Sequence, residues 1–377
     1  MTPELESANA ERGDAQSFEG YARESRGPGV RNTVVVLPSV ICSGVVAESI
    51  ADAVPEATVT PHDHGCGQIG ADKDQTRRTL LNVSENPNVA GVVVVGLGCE
   101  TLDSEALAAD LSLPVRQTAI QTAGGTDETI EEGIAAAEEL VADARESEAN
   151  REQFDLGDLT LGVTVSDLAD STVESVNPAV GALVRRVVDA GGRVVVGGLG
   201  ALVPHADSAA DLTADPETAD ALRDALERHR DEAPPTPLRR SAGERDRTDV
   251  SLLWDREPLV DVLAYGEKAD HDDGVAVVES MGGFEETATA LTAAGAQVVV
   301  HGTADGIPTG HPVVPVLKVT GDPDTATALA DDIDIDASSA SPDDLVEAVL
   351  ATADGQETAA EGHGLTSFAI SRAGPSL

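Results

Sequence analysis

The chain is short of aromatic and of basic residues. Aromatics are 2% of its 377 positions, and 24 Lys and Arg stand against 68 Asp and Glu. A nucleic-acid binder needs a basic face to neutralise phosphates and, for single strands, rings on which bases stack. Neither is present, so no nucleic-acid partner is expected. The same shortage argues against anionic membranes, and no run approaches the roughly 18 apolar residues of a membrane span. Residues 1–17, rich in Glu and Ala, lack the basic, apolar start of a signal peptide and are expected to be a disordered acidic tail. A cytoplasmic location follows. Cysteine is scarce too. Three residues, an odd number in a long chain, exclude a disulfide framework and leave ligand or nucleophile roles.

What the chain has is apolar residue, at 41%, and a formal charge of −44. The length is too great for one ordinary core and points to more than one domain. The acids are spread among Val-, Ala- and Leu-rich segments, so the charge describes an acidic surface rather than a disordered chain. Such a surface keeps a protein hydrated where salt screens self-repulsion over a few ångströms, which suggests a salt-loving cytoplasm.

The pattern along the chain is α/β. Thr33–Pro38, Ala57–Val59, Val89–Gly96 and Val115–Ile120 are β-branched, apolar runs of the kind buried in parallel sheets. Helical spacing separates them, at 45–54, 72–82 and 127–145. A charged stretch at 146–158 marks a boundary. A second α/β unit then runs through strands at 159–165, 193–196, 275–278, 297–302 and 313–320. Its helices are predicted at 209–230, 254–265 and 285–294, with a polar, proline-bearing connector near 232–249. The expected architecture is two Rossmann-like parallel-sheet α/β domains, residues 18–150 and 151–377, with an acidic surface.

The stretch Thr60-Pro61-His62-Asp63-His64-Gly65-Cys66-Gly67-Gln68 concentrates the chemistry. Imidazole and thiolate are transition-metal ligands, and imidazole is a general base near neutral pH. Cys42 follows the first strand and precedes a helix, where a helix end would lower its pKa. Cys99, with Glu100 beside it, follows Val89–Gly96. All three cysteines thus fall beyond the C-terminal ends of successive predicted strands, the edge where open α/β sheets bind ligands. Arg26 and Arg31 stand out as basic residues in an acidic chain and suit an anionic substrate. The alternatives are a solvated polar loop, surface ion pairs and small buried cysteines.

These residues sit in recognisable company. Gly20-Tyr21, Gly29-Val30-Arg31-Asn32, Pro38-Ser39-Val40-Ile41-Cys42-Ser43, His64-Gly65-Cys66-Gly67-Gln68, Asn86-Pro87-Asn88 and Gly96-Leu97-Gly98-Cys99-Glu100 resemble consecutive motifs of the altronate and galactarate dehydratase family. Asn177-Pro178-Ala179-Val180-Gly181, Asp261–Gly266 and Gly306–Thr320 extend the resemblance through the second half. It implies a metal-dependent hydro-lyase that removes water from a sugar acid to give a 2-keto-3-deoxy acid, with Fe(II), another divalent metal or an iron–sulfur cluster. Relatives that split sulfite from sulfolactate share the frame. His62, His64 and Glu100 become catalytic candidates, and His64, Cys66, Cys42 and Cys99 metal ligands. Arg31, Asn32, Gln68, Asn177 and Lys318 become candidates for holding the substrate.

The chain departs from the family pattern in three places. Residues 1–17 leave no room for the small SAF domain of larger relatives, so a separate small SAF-domain subunit is expected, within an oligomer. Gly162–Asp167 replaces a Cys- or Gly-rich lead into Ser-Asp, with longer spacing on to Asn177. Met281-Gly282-Gly283-Phe284 and Thr303-Ala304-Asp305-Gly306 replace two family loops, one of which carries an arginine. A non-catalytic sugar-acid-binding scaffold subunit is the alternative that these changed loops raise.

Overall fold

The computed structural model describes residues 16–23, 25–230 and 236–373. Its framework is two parallel sheets with helices against them and one two-stranded ribbon. The ribbon pairs β1 (Ser17–Tyr21) antiparallel with β6 (Arg151–Asp155), so the stretch read as a bare boundary carries a strand. Most of the proposed acidic tail lies outside the described residues, and Ser17 already belongs to β1.

The first sheet contains β2 (Thr33–Pro38), β3 (Ala57–Val59), β4 (Val89–Gly96) and β5 (Val115–Ala119), in the order β3-β2-β4-β5. Valine recurs on both faces of β4 because both are covered: Val92 to Val95 are all 0% exposed. The helices Gly44–Ala53 and Thr126–Ser147 cover one face through Ile50, Ala137 and Leu140. The helix Gly70–Ser84 covers the other through Leu80 and Val83.

The second sheet adds β7 (Thr160–Val165), β8 (Arg193–Val196), β9 (Leu259–Leu263), β10 (Gly274–Val278), β11 (Val298–Gly302), β12 (Val316–Thr320) and β13 (Ile335–Asp336). Their order is β13-β12-β11-β7-β8-β10-β9, parallel throughout. The helix expected over 254–265 is instead a short 3₁₀ turn followed by edge strand β9. Asp255 and Arg256 adopt positive φ and Pro258 lacks an N–H, which stops a helix, and the β-branched Val260 and Val262 then suit a strand. The connector near 232–249 also carries helices, Pro237–Ala242 and Arg247–Ser251. Residues 231–235 lie outside the described set.

The two sheets share a core. Val35, Leu37, Leu80 and Val94 pack in one cluster with Val195, Leu263, Ala276 and Val299. Asparagines stitch the seam. Asn86 donates to the Thr292 and Ala296 carbonyls, and Asn88 to those of Gln297 and Val313. Each buried amide here replaces water with two carbonyls, so the units cannot part without stranding polar groups. No helix among the described residues is long and apolar enough to cross a membrane.

Candidate active site

In the first sheet β2 is flanked by β3 on one side and β4 on the other, so the chain reverses direction across the sheet between β2 and β4. Crevices outside the carboxyl ends of strands at such a reversal are where open α/β sheets hold ligands. Cys42 lies in a 3₁₀ turn after β2, and Cys99 lies in the loop after β4. Cys66 joins them from the loop after β3. All three are free and exposed.

The three thiols share one edge of the first sheet, and Cys66, Cys99 and Glu100 act electrostatically on Cys42. The Cys42 pKa is therefore raised, by burial and then by its acidic neighbours, where a helix end was expected to lower it.

Glu100 turns back under its own loop. Its carboxylate accepts from the Ser39 hydroxyl at 3.0 Å, from the Leu97 N–H at 3.2 Å and from the Gly98 N–H at 2.5 Å. Burial works against the charge, but donations from its own N–H, from Gly98 and Leu97 and from Ser39 prevail and hold the carboxyl below its ordinary value. Gly96 makes room, because a Cβ there would collide with the Glu100 carboxylate and the Ser104 hydroxyl.

The histidines of the Cys66 loop point elsewhere. Both are buried, and both ring nitrogens of each are engaged. His62 Nε2 lies 2.8 Å from the Pro38 carbonyl, and its Nδ1 accepts the His64 N–H. His64 Nε2 lies 2.9 Å from the Ile370 carbonyl, while Nδ1 faces Gln68 Nε2 at 2.9 Å. Carbonyls only accept, so each ring carries a proton on Nε2. Burial, against a contribution from Pro38, drives the His62 pKa down to about 4. The imidazoles expected as ligands or bases thus brace the loop that carries Cys66, and Gln68 braces His64. Gly65 completes that brace at φ +95°, where a Cβ would press within 2.7 Å of the Ser39 carbonyl.

The remaining candidates are not brought to the thiols. Arg31 precedes β2, at the opposite end of the strand from Cys42. Its guanidinium forks onto Glu361 at 2.8 and 2.9 Å and donates to the Thr352 and Gln356 carbonyls. Arg26 donates to the Asn86 and Val89 carbonyls. Both act as structural ties where a substrate clamp was expected: all three guanidinium nitrogens of Arg31 have protein acceptors, and Arg26 is held to the loop before β4. Asn32 donates to the Ala144 carbonyl and the Ser147 hydroxyl. Asn177 is buried in the second unit and donates to the Asp249 carbonyl. Lys318 is fully buried in β12 beside His301. Glu100 and the cysteines were legible in sequence; Ser39 was missed as a donor, since a lone serine after a strand carries no signal of its own.

Among the described residues no three His, Cys, Asp or Glu side chains converge closely enough to hold a single metal ion. With the imidazoles committed, the available donors are three thiols, a soft set suited to iron–sulfur or zinc chemistry.

An open parallel α/β scaffold with thiols and a cradled carboxylate at a sheet reversal defines a two-sheet α/β enzyme. Models for the second domain and the C-terminal domain of D-galactarate dehydratase/altronate hydrolase match residues 20–145 and 254–376 respectively. The chain belongs to the altronate/galactarate dehydratase family of lyases. It is 29% identical to the altronate dehydratase of Bacillus subtilis, over 88% of this chain and 71% of that one. It is 27% identical to the (2R)-sulfolactate sulfo-lyase subunit beta of Chromohalobacter salexigens, over 95% and 97%. With the Escherichia coli altronate dehydratase it shares 25%, over 100% and 81%.

Proposed function

We propose that this chain is the large subunit of a metal-dependent dehydratase that removes water from a sugar acid such as altronate or galactarate, giving a 2-keto-3-deoxy acid. The observation that carries the reading is the placement of Cys42, Cys66 and Cys99, all free and exposed, after the carboxyl ends of β2, β3 and β4 at the reversal of the first sheet, with Glu100 beside Cys99. Free thiols of this kind suit a reducing cytoplasm.

Dehydration next to a carboxylate requires loss of a weakly acidic α-proton and departure of hydroxide from the neighbouring carbon. The three thiolates would hold iron, as a cluster in preference to a lone Fe(II), and the bound metal supplies Lewis acidity to the substrate's oxygens. Glu100, ionised and fixed by its donors, receives the proton at its carboxylate. A carboxylate held below its ordinary value is a weak base, so it acts on a proton already acidified by a polarised carboxylate. Gln68, His64 and His62 keep the Cys66 loop in place.

A small SAF-domain subunit completes the site in this reading. The large apolar side chains exposed among the described residues are Ile41, Val45, Ile69 and Leu365, and the first three lie within three positions of Cys42 or Cys66. An apolar fringe around a reactive site favours a covering partner.

A second reading changes the leaving group to sulfite. It is favoured by the sulfo-lyase subunit, which this chain matches along 97% of its length. The experiment is anaerobic co-purification with a co-expressed SAF-domain subunit, iron and sulfide analysis, and assay on altronate, galactarate and sulfolactate. Iron with keto-acid formation from a sugar acid supports the first reading, and sulfite release from sulfolactate the second. An iron-free complex that turns over all the same would overturn the thiol site.

A further inference from the structure

The seven-stranded sheet has a reversal of its own. Its first strand, β7, is flanked by β8 on one side and β11 on the other. Ser166 follows β7 directly, and His301 lies on β11 in register with Lys318 of β12. The Ser166 hydroxyl is 2.6 Å from His301 Nε2, and Lys318 Nζ is 2.9 Å from His301 Nδ1. His301 and Lys318 are fully buried, while Ser166 is partly exposed. Phe284 stacks on the imidazole at 4.2 Å and lies 3.7 Å from Nζ, so ring and amine are immobilised.

Packing alone does not ask for this. A buried lysine and histidine carry a desolvation penalty that an aliphatic pair would avoid. The chain of contacts leads from the interior to one hydroxyl, at the kind of crevice where parallel sheets hold ligands. Burial lowers Lys318 to about 7, against the raising effects of Asp334 and Glu285, and drives His301 well below its ordinary value through burial and then Lys318. As an ammonium, Lys318 donates to Nδ1 and leaves an Nε2–H facing Ser166. As a free amine, it accepts a hydrogen bond from Nδ1–H, which leaves Nε2 unprotonated to accept from the hydroxyl.

We propose that Ser166, His301 and Lys318 form a second reactive centre, in which Ser166 is a nucleophile toward carboxylic esters, including the internal esters of hydroxy acids. Ser166 Oγ bonds to the ester carbonyl carbon while its proton passes to His301 Nε2 and the Nδ1 proton passes to Lys318. The carbon–oxygen bond to the alcohol breaks, and the alcohol leaves with a proton returned through His301. Water then attacks the acyl-serine by the same relay and releases the acid. The centre shares no residue with the thiol site and stands independently of the lyase reading.

The test is labelling of the full chain with a fluorophosphonate, read by intact mass and peptide mapping, beside hydrolysis of p-nitrophenyl acetate. The expected result is one adduct, on Ser166, forming about tenfold faster at pH 8 than at pH 6. Ser166→Ala abolishes it, and His301→Gln slows it by about 100-fold in protein whose thermal melt is preserved. Should His301→Gln not fold, Lys318→Met and the pH profile of the unaltered chain decide. Absence of an adduct on Ser166, or labelling with a flat pH profile or insensitive to the relay variants, overturns the proposal.

Discussion

His64 Nε2 donates to the Ile370 carbonyl over 2.9 Å, a contact that spans 306 positions of the chain. Around it the C-terminal segment straps the thiol-bearing loop. Gln75 donates to the Ser371 carbonyl at 2.6 Å, and the Ala373 N–H to Asp72 at 2.9 Å. Phe368 and Ile370 are buried in the shared core.

The strap predicts how the loop comes loose. Gln68→Leu removes the donor to His64 Nδ1 and the acceptor of the Gly65 N–H, and should cost about 1–3 kcal/mol. Chemical denaturation would measure the loss, and limited proteolysis should show new cleavage between residues 62 and 72. An unchanged midpoint and cleavage map would refute the bracing role.

Replacing any of Cys42, Cys66 or Cys99 by Ser should lower bound iron in anaerobically purified protein while leaving the fold intact, because all three thiols are exposed. Metal analysis and the visible absorption of the cluster provide the check. Iron retained at the level of the unaltered chain in all three variants would remove them as ligands.

Arg31→Lys separates structure from substrate binding. The bidentate fork onto Glu361 and two carbonyl contacts disappear, and a lysine cannot replace a planar fork. A stability loss of about 1–3 kcal/mol with unchanged KM is expected. A raised KM at full stability would restore Arg31 to the substrate.

Acid sensitivity follows from the buried imidazoles. Burial lowers His311 from 6.5 to about 3, and His62 goes to about 4. Below 6.5 the unfolded chain takes up protons that the native state refuses, so stability is full above that value and falls as pH drops toward 4 and below. His311→Asn should flatten the dependence of Tm on pH between 6.5 and 4. An unaltered slope would show that His311 does not titrate in this way.

The charge of −44 predicts the response to salt. Screening of self-repulsion should raise Tm as KCl increases from millimolar to molar. A Tm that falls or stays level would argue against adaptation of the acidic surface to salt.

Local pattern was enough for the parallel strands, because a strand covered on both faces must be apolar at successive positions, as Val92 to Val95 are. It failed at 254–265, where Leu259–Leu263 is a short edge strand with only its two end residues buried, within a window that also admits helical spacing. The thiol positions were readable because strand ends place loops on one sheet edge whatever the loops contain. The roles of His62, His64 and Arg31 were not. Their hydrogen-bonding groups are satisfied by carbonyls and carboxylates that lie far away in the chain, and no local window contains Ile370 or Glu361.

Sequence alone determined the parallel α/β layout, the acidic character and the edge on which three cysteines fall, since each depends on residue type and short-range periodicity. Tertiary structure alone decided that the histidines brace rather than coordinate, that Glu100 is caged in donors, and that Ser166, His301 and Lys318 stand in line. The reason is directional. A hydrogen bond needs both partners in place, and distant parts of the chain supply the second partner only once the sheets have packed.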